Sequence, residues 1–419
     1  MGGLNQAGAE ARPAELKVAV LGGDGIGPEV TAAAMQVLEA AVREEGVTLR
    51  LDERPVGWTA VLSEGAPLPE PTLRACVDAD AVFLGAVGHP DAAGQPREKL
   101  PETGLLALRK ALDCWANLRP VKVPASLEGV SALRADRVRG TDVMILRELG
   151  GGLYYGEPRA DEKEKGRAYN TMVYTDHEVR RLARLGLQLA RGRKGRMTSV
   201  DKANVLEVSR LWRRVVDETV AEEGQGVEVD HMLVDRAAME LVLNPTRFDV
   251  LLTENLFGDI LSDQAGALAG SLGALGSASL GDGTDLYEPV HGSAPDIAGR
   301  GIANPLGAFA SVALMLRYTF RMEEAARRVE NAYEGALADG IRTVDLKEPG
   351  MKPVGTTQFT EAVLERLEAG ATAGQGGGRC ATHRCPDRQR GPAPSGETRD
   401  CSSRTRVRRR SQIDGRTRK

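Results

Sequence analysis

The chain has 419 residues, 42% hydrophobic and 27% charged, with a net charge of −4, a globular composition long enough for two or three domains and a large core. It contains no apolar run near the roughly 20 residues of a membrane helix and opens without the apolar stretch of a secretory leader, so the expected compartment is the cytoplasm. Five cysteines exclude a disulfide framework in a chain this long, and Cys76 and Cys114 are expected to act as small core residues.

The first predicted element is the apolar strand Lys17–Leu21. A glycine-rich turn, Gly22–Gly27, follows it, and a helix opens with Pro28 near its first position. In that helix Val30, Ala34, Val37, Leu38 and Ala41 keep helical spacing. Further strands are expected at 81–87, 143–149, 197–200, 232–234 and 248–253. Helical stretches separate most of them, which gives an α/β class with a substantially parallel sheet. The turn reads G-D-G-I-G-P-E-V. Val30 stands where the dinucleotide fingerprint needs its third glycine, so a Rossmann reading is rejected. The glycines still permit a close backbone approach to a ligand beside a helix N-terminus.

Residues 150–170, rich in Gly, Tyr and charge, read as an extended arm, either pairing with a second subunit or forming a plain surface hairpin. After Gly370 the composition cannot bury a core, and 371–419 reads as a disordered basic tail with 13 Lys/Arg against 4 Asp/Glu. Its Arg404–Arg410 cluster has no interleaved aromatic residues, which favours a bland extension over a nucleic-acid binder. Cys380, His383, Cys385 and Cys401 match no established zinc spacing.

Candidate chemistry lies in the body. Asp259 and Asp263 are four apart, so on a helix both carboxylates share one face. Oxygen-only ligands suit Mg²⁺ or Mn²⁺, and the competing reading is a solvated acidic face. Arg147 ends an apolar strand, where α/β proteins bind ligands, and with Arg109 and Arg119 would clamp a substrate carrying two or three carboxylates. Lys202, just beyond a strand end, is a candidate base beside a metal. Tyr154, after three glycines, is a candidate proton donor. Without the rest, these two would be a surface lysine and a hairpin tyrosine. The turn-rich stretches 287–296 and 302–305 offer hydrogen-bonding groups. If Asp296 accepts from a ribose diol, it selects NAD over NADP.

Gly23–Glu29, Val200–Asn204, Gly258–Asp263 and His291–Asp296, in this order, resemble the isocitrate/isopropylmalate dehydrogenase family from about Leu16 to Ala369. The resemblance implies a two-domain fold that is not a Rossmann fold. Its cofactor domain would be discontinuous (1–114 and 270–370), and a second domain (115–269) would carry the dimer contact and the arm. It implies a homodimer with shared active sites, oxidising and decarboxylating a substituted malate with NAD and Mg²⁺ or Mn²⁺. Arg109, Arg119 and Arg147 would hold the malate carboxylates. Asp235 would reach substrate and metal from the partner subunit, completing Asp259 and Asp263. Lys202, also from the partner, would take the hydroxyl proton, and Tyr154 would help protonate the enolate. Glu102 would sit near the nicotinamide. Residues 101–109 are similar to the substrate helix of the family's isopropylmalate branch, which sets Leu105 and Leu106 against an isopropyl group. Glu288, His291, Gly292, Ser293, Ala294, Pro295, Asp296 and Asn304 would grip the adenosine half. Two departures from the family pattern stand out. Gly150 replaces a threonine, which is expected to loosen the arm, and 89–94 lacks a tryptophan, which affects packing near the substrate.

Overall fold

The computed structural model describes residues 14–375, with side chains to residue 369. The strands are β1 Glu15–Gly23, β2 Thr48–Glu53, β3 Ala81–Ala86, β4 Cys114–Lys122, β5 Asp142–Glu148, β6 Ala160–Glu162, β7 Arg167–Tyr169, β8 Arg196–Asp201, β9 Glu228–Leu233, β10 Val250–Thr253, β11 Gly276–Gly281 and β12 Asp285–Pro289. The helices are α1 Gly27–Arg43, α2 Trp58–Glu64, α3 Glu70–Val77, α4 Pro101–Ala111, α5 Ala135–Val138, α6 Asp176–Arg191, α7 Glu207–Glu223, α8 Val234–Leu243, α9 Asn255–Gly266, α10 Leu306–Tyr318, α11 Glu323–Ala338 and α12 Thr356–Gln375.

Ten strands form one sheet in the order β2-β1-β3-β12-β11-β4-β5-β10-β8-β9. Both flanks are parallel, whereas the centre, β12-β11-β4-β5, is antiparallel. Strands drawn from the two ends of the described chain, 15–86 and 276–289, make one half of the sheet; strands from 114–253 make the other. The halves meet where β11 pairs with β4, Ala278 opposite Leu118.

Local sequence explains the elements. In α1 the five residues with helical spacing are all buried, and Pro28 occupies the first turn, where a missing N–H costs nothing. Thr175 and Glu178 close a capping box on α6. Glu254 caps α9 by accepting from the amides of Leu256 and Phe257. The nearly all-apolar α10 lies in the largest core cluster, against α1, α11 and the sheet. Buried Cys76 and Cys114 are core residues, as expected.

The structure adjusts several expectations. The strand expected at 232–234 is Glu228–Leu233, and Val234 already begins α8. The glycine turn does make close approaches, but to protein backbone. A β-carbon on Gly23 would lie 1.9 Å from the Ala86 carbonyl oxygen, and one on Gly25 equally close to that of Ser293. Between them the buried Asp24 carboxylate accepts from the amides of Trp58, Thr59 and Gly88. The turn is therefore a joint between β1, α2 and two loops. The arm contains a short antiparallel hairpin, β6–β7. Helix α12 runs to Gln375, so 371–375 is helical where a disordered tail was expected; the rest of that segment, with its cysteines and arginine cluster, lies outside the described residues.

Candidate active site

The chemistry gathers around the C-terminal ends of β5 and β10, where loops and the α9 N-terminus leave room for ligands, and on the neighbouring antiparallel β4. Arg147, on the last turn of β5, is 1% exposed. Its Nε and Nη2 donate to Asn255 Oδ1 at 3.1 and 2.8 Å, and Nη1 donates to Asp259. A β-carbon at Gly258 would lie 2.6 Å from Arg147 Cγ, so the glycine lets α9 rest on the arginine stem. On β4, Arg119 donates to Asn117 (2.8 Å) and Ser262 (2.7 Å), and lies 3.3 Å from Asp263 and 3.5 Å from Asp259. Tyr154, in the short turn after β5, donates to Asp259 Oδ2 at 2.7 Å, with the Arg147 guanidinium 5.4 Å from its ring centroid.

Charge shapes these groups. Burial, then the neighbouring Arg147 cation, lowers Arg119 to about 10. For Asp259 burial works towards the neutral form, but Arg147, Tyr154 and Arg119 outweigh it and hold the carboxyl below its ordinary value. Asp263 is raised by burial, with the Asp259 charge adding to it. Burial and the bond to Asp259 push the Tyr154 phenol up to about 12, keeping its proton available.

Arg109, on α4, donates to Glu288 at 2.6 Å, both being nearly buried. Burial opposes its charge, but Glu288 more than compensates and raises its pKa. Glu288, expected at the cofactor, is thus the partner of a substrate-class arginine. Glu102 is exposed in the first turn of α4, and Leu105 and Leu106 are half-buried, Leu105 against the small cluster that includes Leu108 and Leu112.

Lys202 and Asp235 form their own ion pair at 2.6 Å, which lowers the Asp235 pKa. Among the described residues no group of three or more side chains could hold a metal, so one chain does not bring Asp235 to Asp259 and Asp263. The two α9 carboxylates have the hard-oxygen chemistry of a Mg²⁺ or Mn²⁺ site, with guanidinium groups supplying the positive charge.

In the 291–304 loop, Ile26 N–H donates to the Ser293 carbonyl, and Ala294 takes a positive φ of 37°. Gly292, Pro295 and Asp296 are exposed. His291 Nδ1 meets the Gly292 carbonyl at 2.9 Å, while Nε2 is buried with no hydrogen-bond partner among the described residues. Such an orphan fits a ligand with a polar ring edge. Asn304 is committed internally: it donates to Asp345 (2.9 Å) and accepts from the Leu306 amide (3.0 Å) at the start of α10. In 89–94, His89 stacks on Trp58 with ring centroids 6.2 Å apart, which supplies an aromatic pair near the position of the missing tryptophan.

Sequence reading missed Asn255 and Glu148, the residues that seat Arg147 and the Tyr154 turn. Asn255 is the first residue of α9, one turn before Asp259, and its place at the strand-to-helix junction after Val250–Thr253 was the available signal.

A parallel-flanked α/β sheet carrying clustered arginines, an Asp pair and a tyrosine has the make-up of an anion-binding enzyme site, and the chain belongs to the isocitrate/isopropylmalate dehydrogenase family, whose model matches residues 17–363. It is 51% identical over 354 residues, 84% of this chain and 97% of the relative, to the 3-isopropylmalate dehydrogenase of Aquifex aeolicus (strain VF5). It is 52% identical over 358 residues, 85% and 98% of the two chains, to the enzyme of that name from Halalkalibacterium halodurans. Among solved structures it is similar to isocitrate dehydrogenase from Methylococcus capsulatus, with TM-score 0.75 and 37% identity over 84% of this chain and 99% of that one.

Proposed function

We propose that this chain catalyses the NAD-dependent oxidative decarboxylation of 3-isopropylmalate to 4-methyl-2-oxopentanoate and CO₂, in leucine biosynthesis in the cytoplasm. The observation that carries the reading is the convergence of Arg119, Arg147 and Tyr154 on Asp259 beside Asp263. Relatives of that name at about half identity support the choice within the family.

Arg109, Arg119 and Arg147 hold the malate carboxylates, the geometry in which guanidinium forks are strongest. Asp259 and Asp263 hold the divalent cation with the partner subunit's Asp235. When bound, the cation supplies positive charge that polarises the substrate oxygen and stabilises the enolate left by CO₂. Bound NAD⁺ would supply the acceptor for the hydride of the hydroxyl-bearing carbon. The partner subunit's Lys202 takes the hydroxyl proton, and Tyr154 protonates the enolate carbon. Glu102 lies by the nicotinamide, Leu105 and Leu106 by the isopropyl group. His291, Gly292, Ser293, Ala294, Pro295 and Asp296 grip the adenosine half, and Glu288 and Asn304, each bonded within the chain, flank that loop. The orphaned His291 nitrogen and the exposed Asp296 carboxylate favour that use.

Two domains, 1–114 with 270–370 and 115–269, correspond in this reading to the two halves of the sheet. The separation of the Lys202–Asp235 pair from Asp259 supports a homodimer, and exposed Met239, Val242, Leu243 and Ile260 on α8 and α9 offer it an apolar face. Incubation with 3-isopropylmalate, NAD⁺ and Mg²⁺ or Mn²⁺ tests the reaction. NADH and CO₂ should form in equal amounts, abolished by EDTA and restored by metal. NADH without CO₂, or turnover indifferent to EDTA, would refute it.

A further inference from the structure

Glu148, the last residue of β5, is fully buried, and its two oxygens serve different amides. Oε1 accepts from Gly150 N–H and Oε2 from Gly151 N–H, each at 2.9 Å. The carbonyls of the same turn are held from the other side. Asn255 Nδ2 donates to Leu149 (3.3 Å) and Gly151 (3.0 Å), and Gly152 N–H donates to the Val173 carbonyl (3.1 Å). Every polar backbone group of this glycine turn that faces Glu148 or Asn255 is thereby fixed, and the turn delivers Tyr154 to Asp259. Gly150, expected to loosen the arm, keeps its amide bonded. A β-carbon there would lie 3.4 Å from Glu148 Oε1 and 3.3 Å from Arg181 Nη2, a tight fit against both.

We propose that Glu148 is a positioning residue, whose buried carboxylate sets the Gly150–Gly152 turn and through it the placement of the Tyr154 hydroxyl. The inference rests on the role assigned to Tyr154 above. Glu148 does not touch Tyr154, so it acts only through the turn. Groups facing it are Arg181 (3.8 Å) and Glu178 of α6, Tyr174 before that helix, and Trp115 of β4, whose ring carries the Arg181 guanidinium at 4.8 Å. Glu254, ahead of α9, faces the same space through Tyr174. Burial raises Glu148 to about 7, against the two amides that favour its ionised form. Only the carboxylate offers both oxygens as full acceptors, so protonation weakens one amide bond.

The test is a double-mutant cycle in the complete enzyme with NAD⁺, metal and 3-isopropylmalate. Glu148→Gln should lower kcat about tenfold with KM changed less than about threefold, and in a Tyr154→Phe background it should cost less than about threefold. An acid limb of kcat near pH 7 in the wild type should flatten in Glu148→Gln. In the protein without ligands, a carboxyl raised on folding lowers stability as pH rises from the unfolded value, about 4.3, to about 7. Glu148→Gln should therefore gain melting temperature relative to wild type between pH 5 and 7.5. Should the glutamine variant misfold, Glu148→Asp, which draws the carboxyl back from the Gly150 and Gly151 amides, should show the same background-dependent loss of kcat while keeping an acid limb. Equal loss in both backgrounds, or no loss in either, overturns the inference. Wild-type turnover by Tyr154→Phe alone would instead remove the role of Tyr154 on which it rests.

Discussion

Asp259 is the residue at which the site's opposing charges balance, because Arg147, Arg119 and Tyr154 all turn towards it. Asp259→Ala leaves the buried Arg147 with Asn255 as its side-chain acceptor. An under-satisfied buried donor costs about 1–3 kcal/mol, and the partial exposure of Asp259 places the loss at the lower end. The variant should melt about 1–2 °C lower and lose metal-dependent turnover, as thermal unfolding and an EDTA/Mn²⁺ titration would register. An unchanged melting temperature would mean that Asp259 does not compensate Arg147; undiminished turnover without metal would remove it from the metal site. Lys202→Met should lose on the order of 10²-fold or more in kcat. Wild-type rates in that variant would assign the proton to another group.

Among the elements, α8 and α9 carry the prediction about assembly. Met239, Leu243 and Ile260 are each more than half exposed, too much large apolar surface on adjacent helices to be idle. Placing lysines at Met239 and Leu243 should give monomers in sedimentation analysis, with a cooperative fold but little turnover, because each site would lose the partner subunit's Lys202 and Asp235. A dimer that persists would direct the contact elsewhere. Strands β1, β3, β5, β8 and β10 and helix α1 were legible because apolar runs and helical spacing report burial directly, whereas the half-exposed edge strands β2 and β9 were missed or clipped. Central β4 was not legible either, since Asn117, Arg119 and Pro120 break its apolar pattern while Asn117 and Arg119 are themselves buried and hydrogen-bonded. β11 and β12 were hidden for a similar reason: Ser277, Ser279 and Glu288 are buried polar residues satisfied by partners distant in sequence or by the site. The glycine turn misled because close backbone approach is the same sequence signal whether the neighbour is a ligand or Ser293.

At the scale of the molecule, the discontinuous half brings Arg109 and Glu288, 179 positions apart, into contact between α4 and β12. The motifs and their order identified the family, but single-chain pairing could not be read from them: Glu288 bonds Arg109 and Asn304 bonds Asp345. In the proposed function cofactor choice rests on Asp296, whose charge would repel the 2′-phosphate of NADP. NAD⁺ should be preferred by at least about tenfold in kcat/KM, or about 1.4 kcal/mol, and equal use of both cofactors would refute that role.

The central claim concerns the substrate, and competition among related hydroxy acids tests it most directly. Leu105 and Leu106 gain about 1–3 kcal/mol against an isopropyl group, whereas a third carboxylate in their place would lose its hydration without a partner, at a cost of several kcal/mol. With NAD⁺ and saturating metal, kcat/KM for 3-isopropylmalate should exceed that for isocitrate by about 10³-fold or more, with plain malate turned over weakly. A preference for isocitrate would contradict the account of the pocket and leave only the family standing.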